Sequence, residues 1–433
     1  MSANNIINNR KKYLAPSFSL SYDEPLHIIR GKGQYLYDSS GEEYLDAVNN
    51  IAHVGHCHPR VVETANIQNK LLNTNTRYLH NSVLNYAKNL SRTLPDELEV
   101  CYFTNSGSES NDLALRMARL YKNSHESIVL SGAYHGHTAS LIDISPYKFY
   151  GPGGNGKQDF VHVLPMPDNF RGEHKLKGAQ YEQYYIDLLK KTITKIRQKG
   201  KQLAVFIVEP IMGCGGQIIL PSKFMAEAFN IVKGAGGLCI VDEVQIGFGR
   251  VGSHFWGFER SGVIPDIITL GKPIGNGHPL SVVITKKEIA EVFNNGMEYF
   301  NSFGGNPVSC EIGQTVLDII KEEDLQTNAY ETGNYLLSGL KDLKNKHNII
   351  GDVRGSGLFI GVELIKNYES MHPAADETEL VVNQMKQKGV LISSDGPDHN
   401  VLKIKPPLVF NKNNADYLLE SLDAVMIENS FRV

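Results

Sequence analysis

At 433 residues the chain is too long for one ordinary hydrophobic core, so two domains are expected. With 41% hydrophobic and 21% charged residues it reads as soluble and globular, and a formal net charge of −4 leaves no global basic surface for nucleic acid. The five cysteines (Cys57, Cys101, Cys214, Cys239, Cys310) form no C-x-x-C pair, which points to reduced thiols in a cytoplasmic protein rather than a disulfide framework.

In chain order, residues 1–12 carry no apolar run long enough for a signal peptide, and no later stretch approaches the ~20 apolar residues of a membrane span. Gln34-Tyr-Leu-Tyr-Asp38 and Glu43-Tyr-Leu-Asp46 predict a hairpin turning at Gly41. It belongs to an N-terminal segment, 1–60, expected to pack on the smaller domain. Apolar runs then alternate with helical patterns. Strands are predicted at 100–103, 127–130, 204–208, 238–241 and 267–270, short and rich in Val, Ile and Phe, as strands buried on both faces are. Helices are predicted at 110–122, 181–199 and 224–233. Between them, Tyr150-Gly-Pro-Gly-Gly-Asn-Gly-Lys157 reads as a flexible insert. The alternation predicts an α/β domain over 61–314 with a mostly parallel sheet flanked by helices. Helices at 310–322, 330–346, 378–387 and 415–429, with a strand at 401–409, predict a smaller α+β domain over 315–433.

Open parallel sheets build their sites where strands end, and the strand ends here carry reactive groups. Phe103-Thr-Asn-Ser-Gly-Ser-Glu109 joins a strand to a helix. Ser106, Gly107 and Ser108 at that junction either cradle a phosphate on free N–H groups or simply cap the helix. Tyr134-His-Gly-His137 and Glu209 follow two further strands, and an aromatic at 134 can stack on a flat cofactor. Leu238-Cys-Ile-Val-Asp242 ends in an acid that can hold a pyridine nitrogen protonated, or cap a turn. Gly247, Gly249 and Gly252 spell G-x-G-x-x-G, but no convincing helix follows and the acid precedes the glycines, so dinucleotide binding is disfavoured. His53, His56, His135 and His137 lack the spacing of a helical zinc pair, so no metal site is expected and positioning or packing roles are. Ile267-Ile-Thr-Leu-Gly-Lys272 ends in a lysine where most lysines would be solvated. A lysine held there can form a Schiff base with a carbonyl cofactor.

Taken together, Gly55-His-Cys-His-Pro59, Asn105-Ser-Gly-Ser-Glu109, Tyr134-His-Gly136, Glu209-Pro210, Asp242-Glu-Val-Gln245, Gly271-Lys272, Gly304-Gly-Asn-Pro307 and Lys405-Pro-Pro407 resemble the class-III aminotransferases of pyridoxal phosphate (PLP) fold type I. The resemblance covers nearly the whole chain. It implies PLP bound through Lys272, Asp242 on the ring nitrogen, Gln245 near the ring hydroxyl, Gly107 and Ser108 on the phosphate, and Tyr134 on the ring. It also implies a homodimer with shared sites, in which Ser302 stands where a threonine usually reaches the partner's cofactor phosphate.

Two departures from that family stand out. Lys403 occupies the place of an arginine that grips a substrate carboxylate, and Cys214 occupies that of a glutamate that lets a site alternate between two amino donors. Both departures, together with Asn49-Asn50-Ile-Ala-His-Val-Gly-His56 and Gly275-Asn-Gly-His-Pro279, resemble the ethanolamine-phosphate and 5-phosphohydroxylysine phospho-lyase branch. What this implies is elimination of phosphate from a phosphorylated amine, with Asn50 and Lys403 near the substrate. Lys403 and Lys405, two residues apart on a predicted strand, should share a face, and Lys403 either holds the departing phosphate or is a surface lysine. Transamination of an ω-amine or amino acid with a keto acid is the competing expectation.

Overall fold

The computed structural model describes residues 3–172, 178–429 and 431. Its centre is a seven-stranded sheet in the order Val100–Thr104, Ser281–Thr285, Ile267–Leu270, Leu238–Asp242, Leu203–Val208, Glu126–Leu130, Val161–Leu164. Ser281–Thr285 runs antiparallel to both neighbours, and the remaining pairings are parallel. Leu203–Val208, Leu238–Asp242 and Ile267–Leu270 are buried at every residue, which explains their continuous apolar runs. Cys239 and Val241 point into one core and Leu238 and Ile240 into the other, so the sheet is packed on both faces.

The helices Gly107–Lys122, Ala179–Gln198 and Ser222–Gly234 begin slightly before their predicted starts, because polar first turns carry no apolar pattern. Pro307–Glu322 packs on Pro59–Leu71 and Asn81–Ser91. Two strands of the central sheet escape the sequence reading. Val161–Leu164 is a four-residue edge strand, half-buried at its middle positions. Ser281–Thr285 follows Lys272 too closely for an intervening crossover helix; being antiparallel, it needs none. The helix Ala3–Tyr13 is also not announced by the apolar pattern.

Two four-stranded sheets and a short antiparallel pairing of Ile211–Met212 with Ile218–Ile219 complete the fold. The Tyr35–Asp38 and Glu43–Asp46 hairpin turns through Gly41 at φ +94°, and Val390–Leu391 pairs in parallel with its second arm, Val390 opposite Leu45. The other sheet runs Ile350–Ser356, Phe359–Leu364, Val401–Ile404, Ser393–Asp395. The strand predicted over 401–409 stops at Ile404, since Pro406 and Pro407 have no N–H to continue a ladder. The cysteines are all free thiols: Cys239 and Cys310 are buried, Cys101 and Cys214 half-buried, Cys57 exposed. Among the described residues no helix is long and apolar enough to cross a membrane.

Candidate active site

Strand register assembles the site. Val208 pairs with Val241, and Asp242 pairs with Thr269. Glu209, Asp242 and Thr269 therefore end three adjacent parallel strands side by side, and Gly271-Lys272 leave the third. The helix that starts at Gly107 closes over the same edge. A Cβ on Gly271 would lie 3.2 Å from the Gly107 backbone nitrogen, and a Cβ on Gly107 only 2.6 Å from Val244 Cγ1. Close approach thus demands glycine at both places. A cavity of about 350 Å³ opens here, and Ser106, Gly107, Ser108, Tyr134, Glu209, Asp242, Gln245 and Lys272 all line it.

Lys272 opens a short 3₁₀ turn, Lys272–Gly275, with φ at +29°, a left-handed conformation that costs a side-chain-bearing residue about 1–3 kcal/mol. Its amine has no hydrogen-bonded or ion-paired partner among the described residues. Burial lowers its pKa, opposed chiefly by the charge of Asp242 and helped by Lys403. The shift favours the neutral amine, the form that adds to a carbonyl or accepts a proton.

Asp242 is held on both oxygens. Oδ2 accepts from Asn111 Nδ2 at 2.7 Å and His135 Nδ1 at 2.9 Å, and Oδ1 accepts from the Val244 N–H at 3.1 Å. Asn111 is fixed in turn by Thr269 Oγ1, which donates to its Oδ1 at 2.6 Å. The Nδ1 proton of His135 therefore points at Asp242, and its Nε2 is buried without a partner among the described residues. Glu209 accepts from the N–H groups of Tyr134 at 3.3 Å and Gly213 at 3.0 Å. Its pKa is raised, chiefly by burial and further by Asp242, with His135 pulling it down.

Ser106 is the N-cap of the helix: its hydroxyl accepts from the Glu109 N–H at 3.2 Å. The Ser108 hydroxyl meets His137 Nδ1 at 2.8 Å. The Gly107 and Ser108 N–H groups, in the first turn, have no intrahelical acceptor and head a helix of 16 residues. Ser281 Oγ, donating to the Ser106 carbonyl at 2.7 Å, pins the loop to the sheet.

Three expected residues lie outside the lining. Asn50 stands behind Gln245, donating to its Oε1 at 3.2 Å. Lys403 pairs loosely with Asp395 at 3.6 Å. Ser302 is exposed and is not brought to the cavity of its own chain. The four histidines do not gather: His56 bonds Asp46 at 2.6 Å and His53 bonds the Phe248 carbonyl at 2.7 Å, while His135 and His137 make the separate contacts above. The glycines at 247, 249 and 252 form a packing loop. A Cβ on Gly252 would lie 2.5 Å from Tyr330 Cα, and no helix opens there.

Sequence reasoning missed Asn111 and Thr269, and it did not see the burial of Lys405. Asn111 follows Gly107 by one helical turn, a same-face spacing that could have flagged it. Lys405 is 1% exposed, with Nζ 3.3 Å from Gln245 Oε1 and 3.6 Å from Asp395 Oδ2. So the two lysines expected to share a face do converge, on one carboxylate.

Residues 18–426 match the family described as aminotransferase class-III. A Drosophila melanogaster protein named alanine–glyoxylate aminotransferase 2-like is 47% identical, covering 99% of this chain and 89% of its own. A Caenorhabditis elegans protein named ethanolamine-phosphate phospho-lyase homolog 1 is 40% identical, covering 98% and 94%. Among solved structures, a phospholyase from Arthrobacter in complex with phosphoethanolamine superposes with a TM-score of 0.93 at 37% identity, over 98% of this chain and 99% of that one.

Proposed function

Because the chain belongs to the class-III aminotransferase family, whose members use PLP on a type I fold, we propose that it is a phospho-lyase that eliminates phosphate from a phosphorylated amine, O-phosphoethanolamine first among them. The observation that carries this reading is the cation at 403. A lysine, not a bidentate arginine, stands at that place on the strand Val401–Ile404, and it shares Asp395 with Lys405, whose amine meets the cavity-lining Gln245. No arginine is among the residues that line the cavity. A point charge suits a phosphate, whereas a carboxylate favours the planar fork. The names of the worm relative and the Arthrobacter structure support the same reading.

The residues present fit the cofactor. The unpartnered Lys272 amine suits its aldehyde, and buried Asp242, oriented by Asn111 and His135, suits a protonated ring nitrogen. The helix start at Gly107 and Ser108 suits its phosphate. Gln245 and Tyr134 would complete the ring's surroundings, with Glu209 behind them holding the Tyr134 backbone. When bound, PLP supplies an electron sink for charge developing at the amine-bearing carbon. The neutral amine of Lys272 takes the proton from that carbon. Lys403 holds the phosphate as its C–O bond breaks, and a following hydrolysis completes the balance: phosphoethanolamine and water give acetaldehyde, ammonia and phosphate. Asn50 keeps Gln245 oriented at the substrate's side of the cavity.

The protein is read as a homodimer, with Ser302 and the exposed rings of Phe300 and Phe303 on the face offered to the partner's site. Its domains are read as 61–314 for cofactor binding and 315–433 as the smaller unit carrying Lys403, with 1–60 attached to the latter. The free thiols support a cytoplasmic location. A second reading, transamination, is favoured by the name of the fly relative. Absorbance separates the two. Phosphoethanolamine should leave the visible band of the lysine-bound cofactor restored at the end of reaction. Permanent bleaching of that band without phosphate release would establish transamination instead.

A further inference from the structure

Resting on the phospho-lyase reading, we propose that Lys405 joins Lys403 in a two-ammonium clamp for the substrate's phosphate, with Asp395 as the counter-ion that holds both lysines while no phosphate is bound. Lys405 is thereby a specificity-determining residue that favours phosphate monoesters over carboxylates.

The placement of Lys405 is rigid. Its N–H donates to the Ala47 carbonyl at 2.8 Å, and two prolines follow. The carbonyl of Pro406 accepts from the buried guanidinium of Arg250 at 2.7 Å. Its ammonium, by contrast, is poorly served. It makes one long hydrogen bond, 3.3 Å to Gln245 Oε1, stands 3.6 Å from Asp395, and lies 4.2 Å over the Phe359 ring. Asp395 gives its shorter contact to an amide, Gln217 Nε2 at 3.0 Å, and stands 3.6 Å from each lysine. Register explains the convergence. Asp395 pairs with Val401 across the antiparallel ladder, so Lys403, two residues on, leaves the same face.

The charge count is lopsided: two ammoniums stand 3.6 Å from one carboxylate, and Glu209, which also acts on Lys405, is itself pushed up to about 7 by burial. The nearby Cys214 thiol adds no charge at neutral pH, because burial pushes it up to about 12. A buried ammonium short of partners is costly, and an anion that completes its shell recovers that cost. A phosphate monoester brings about −1.5 to −2 charges and three strong acceptors. A carboxylate brings one charge, enough to balance the surplus, but only two oxygens, fewer than the N–H donors of two ammoniums can use. The clamp reaches the cavity wall through Lys405, whose Nζ meets Gln245, a residue that lines the cavity.

The test uses the holoenzyme with saturating PLP, so that added inorganic phosphate cannot enter the cofactor's own cradle. Phosphate should raise the melting temperature of the wild type and inhibit competitively against phosphoethanolamine. Lys405→Met keeps the buried volume and removes the charge. It should weaken phosphate binding about 30- to 100-fold and lower kcat/KM for phosphoethanolamine comparably, with the visible cofactor band intact. An unchanged phosphate dissociation constant alongside reduced turnover would overturn the clamp and leave Lys405 as a residue that merely positions Gln245. Where Lys405→Met does not fold, Lys403→Met decides: about tenfold weaker phosphate binding supports the clamp, and none overturns it. Phosphate that binds through these lysines, in a wild type that releases no phosphate from phosphoethanolamine, would keep the clamp and sink the phospho-lyase reading.

Discussion

Asp242 and Asp395 are both buried carboxylates, 4% and 6% exposed, and they are held in opposite ways. Asp242 accepts three hydrogen bonds between 2.7 and 3.1 Å, and one donor, Asn111, is locked by Thr269. Asp395 has one amide at 3.0 Å and two lysines at 3.6 Å. The first is a finished network whose geometry is set before any ligand arrives, as electrostatic preorganisation requires. The second has charge left over and looser geometry. On the proposed reading, the tight network would serve the cofactor that any PLP reaction needs, and the loose cluster would await the substrate that selects one reaction.

The comparison breaks most sharply at Asp242. Replacing it by Asn keeps the shape but removes the buried charge that His135 and Asn111 are arranged around. Turnover should fall about 10²- to 10³-fold, equivalent to roughly 3–4 kcal/mol. Steady-state kinetics check this, and a loss under tenfold would mean that the network is only structural.

Arg250 sharpens the other side, because it ties the segment carrying Lys405 to the central loop. It is fully buried and donates to the Leu358 and Pro406 carbonyls at 3.0 and 2.7 Å and to His53 at 3.0 Å. Arg250→Met should cost about 3–5 kcal/mol in urea unfolding, by leaving those acceptors unpaired. A cost under 1 kcal/mol would show that the segment is anchored elsewhere.

The smallest effect is at His53. Its Nδ1 accepts from Arg250 and its Nε2–H donates to the Phe248 carbonyl, so it is held neutral. Burial, aided by the Arg250 charge, keeps its pKa well below 6.5 in the folded protein. The unfolded chain takes up this proton below pH 6.5 and the folded one does not. Stability is therefore lost as pH falls through that range, by up to about 1.4 kcal/mol per pH unit. Melting curves from pH 7 to 5 should show a shallower decline for His53→Gln than for the wild type, and parallel declines would contradict the assignment.

The strand-end residues of the candidate site were legible in the sequence, for a physical reason. Strands buried on both faces read as unbroken apolar runs, so the polar residue that ends each run stands out: Glu209, Asp242, Lys272. What lies between elements was not legible. The bonds from Thr269 to Asn111 to Asp242 depend on the register between distant strands and one face of a helix, which no local pattern encodes. Ser281–Thr285 escaped because an antiparallel return needs no crossover helix to mark it. Nothing in the sequence marks Arg250, in its glycine loop, or Lys405, on its predicted strand, as buried. Their burial comes from the chain folding back through Ala47, Leu358 and Pro406.

The proposed phospho-lyase eliminates phosphate rather than exchanging amino groups. The most direct measurement is release of phosphate and ammonia from phosphoethanolamine by the holoenzyme with no keto acid present. Equal amounts of both should appear, continuing for many turnovers per active site. A reaction that stops after one turnover, and resumes only when a keto acid is supplied, would contradict it.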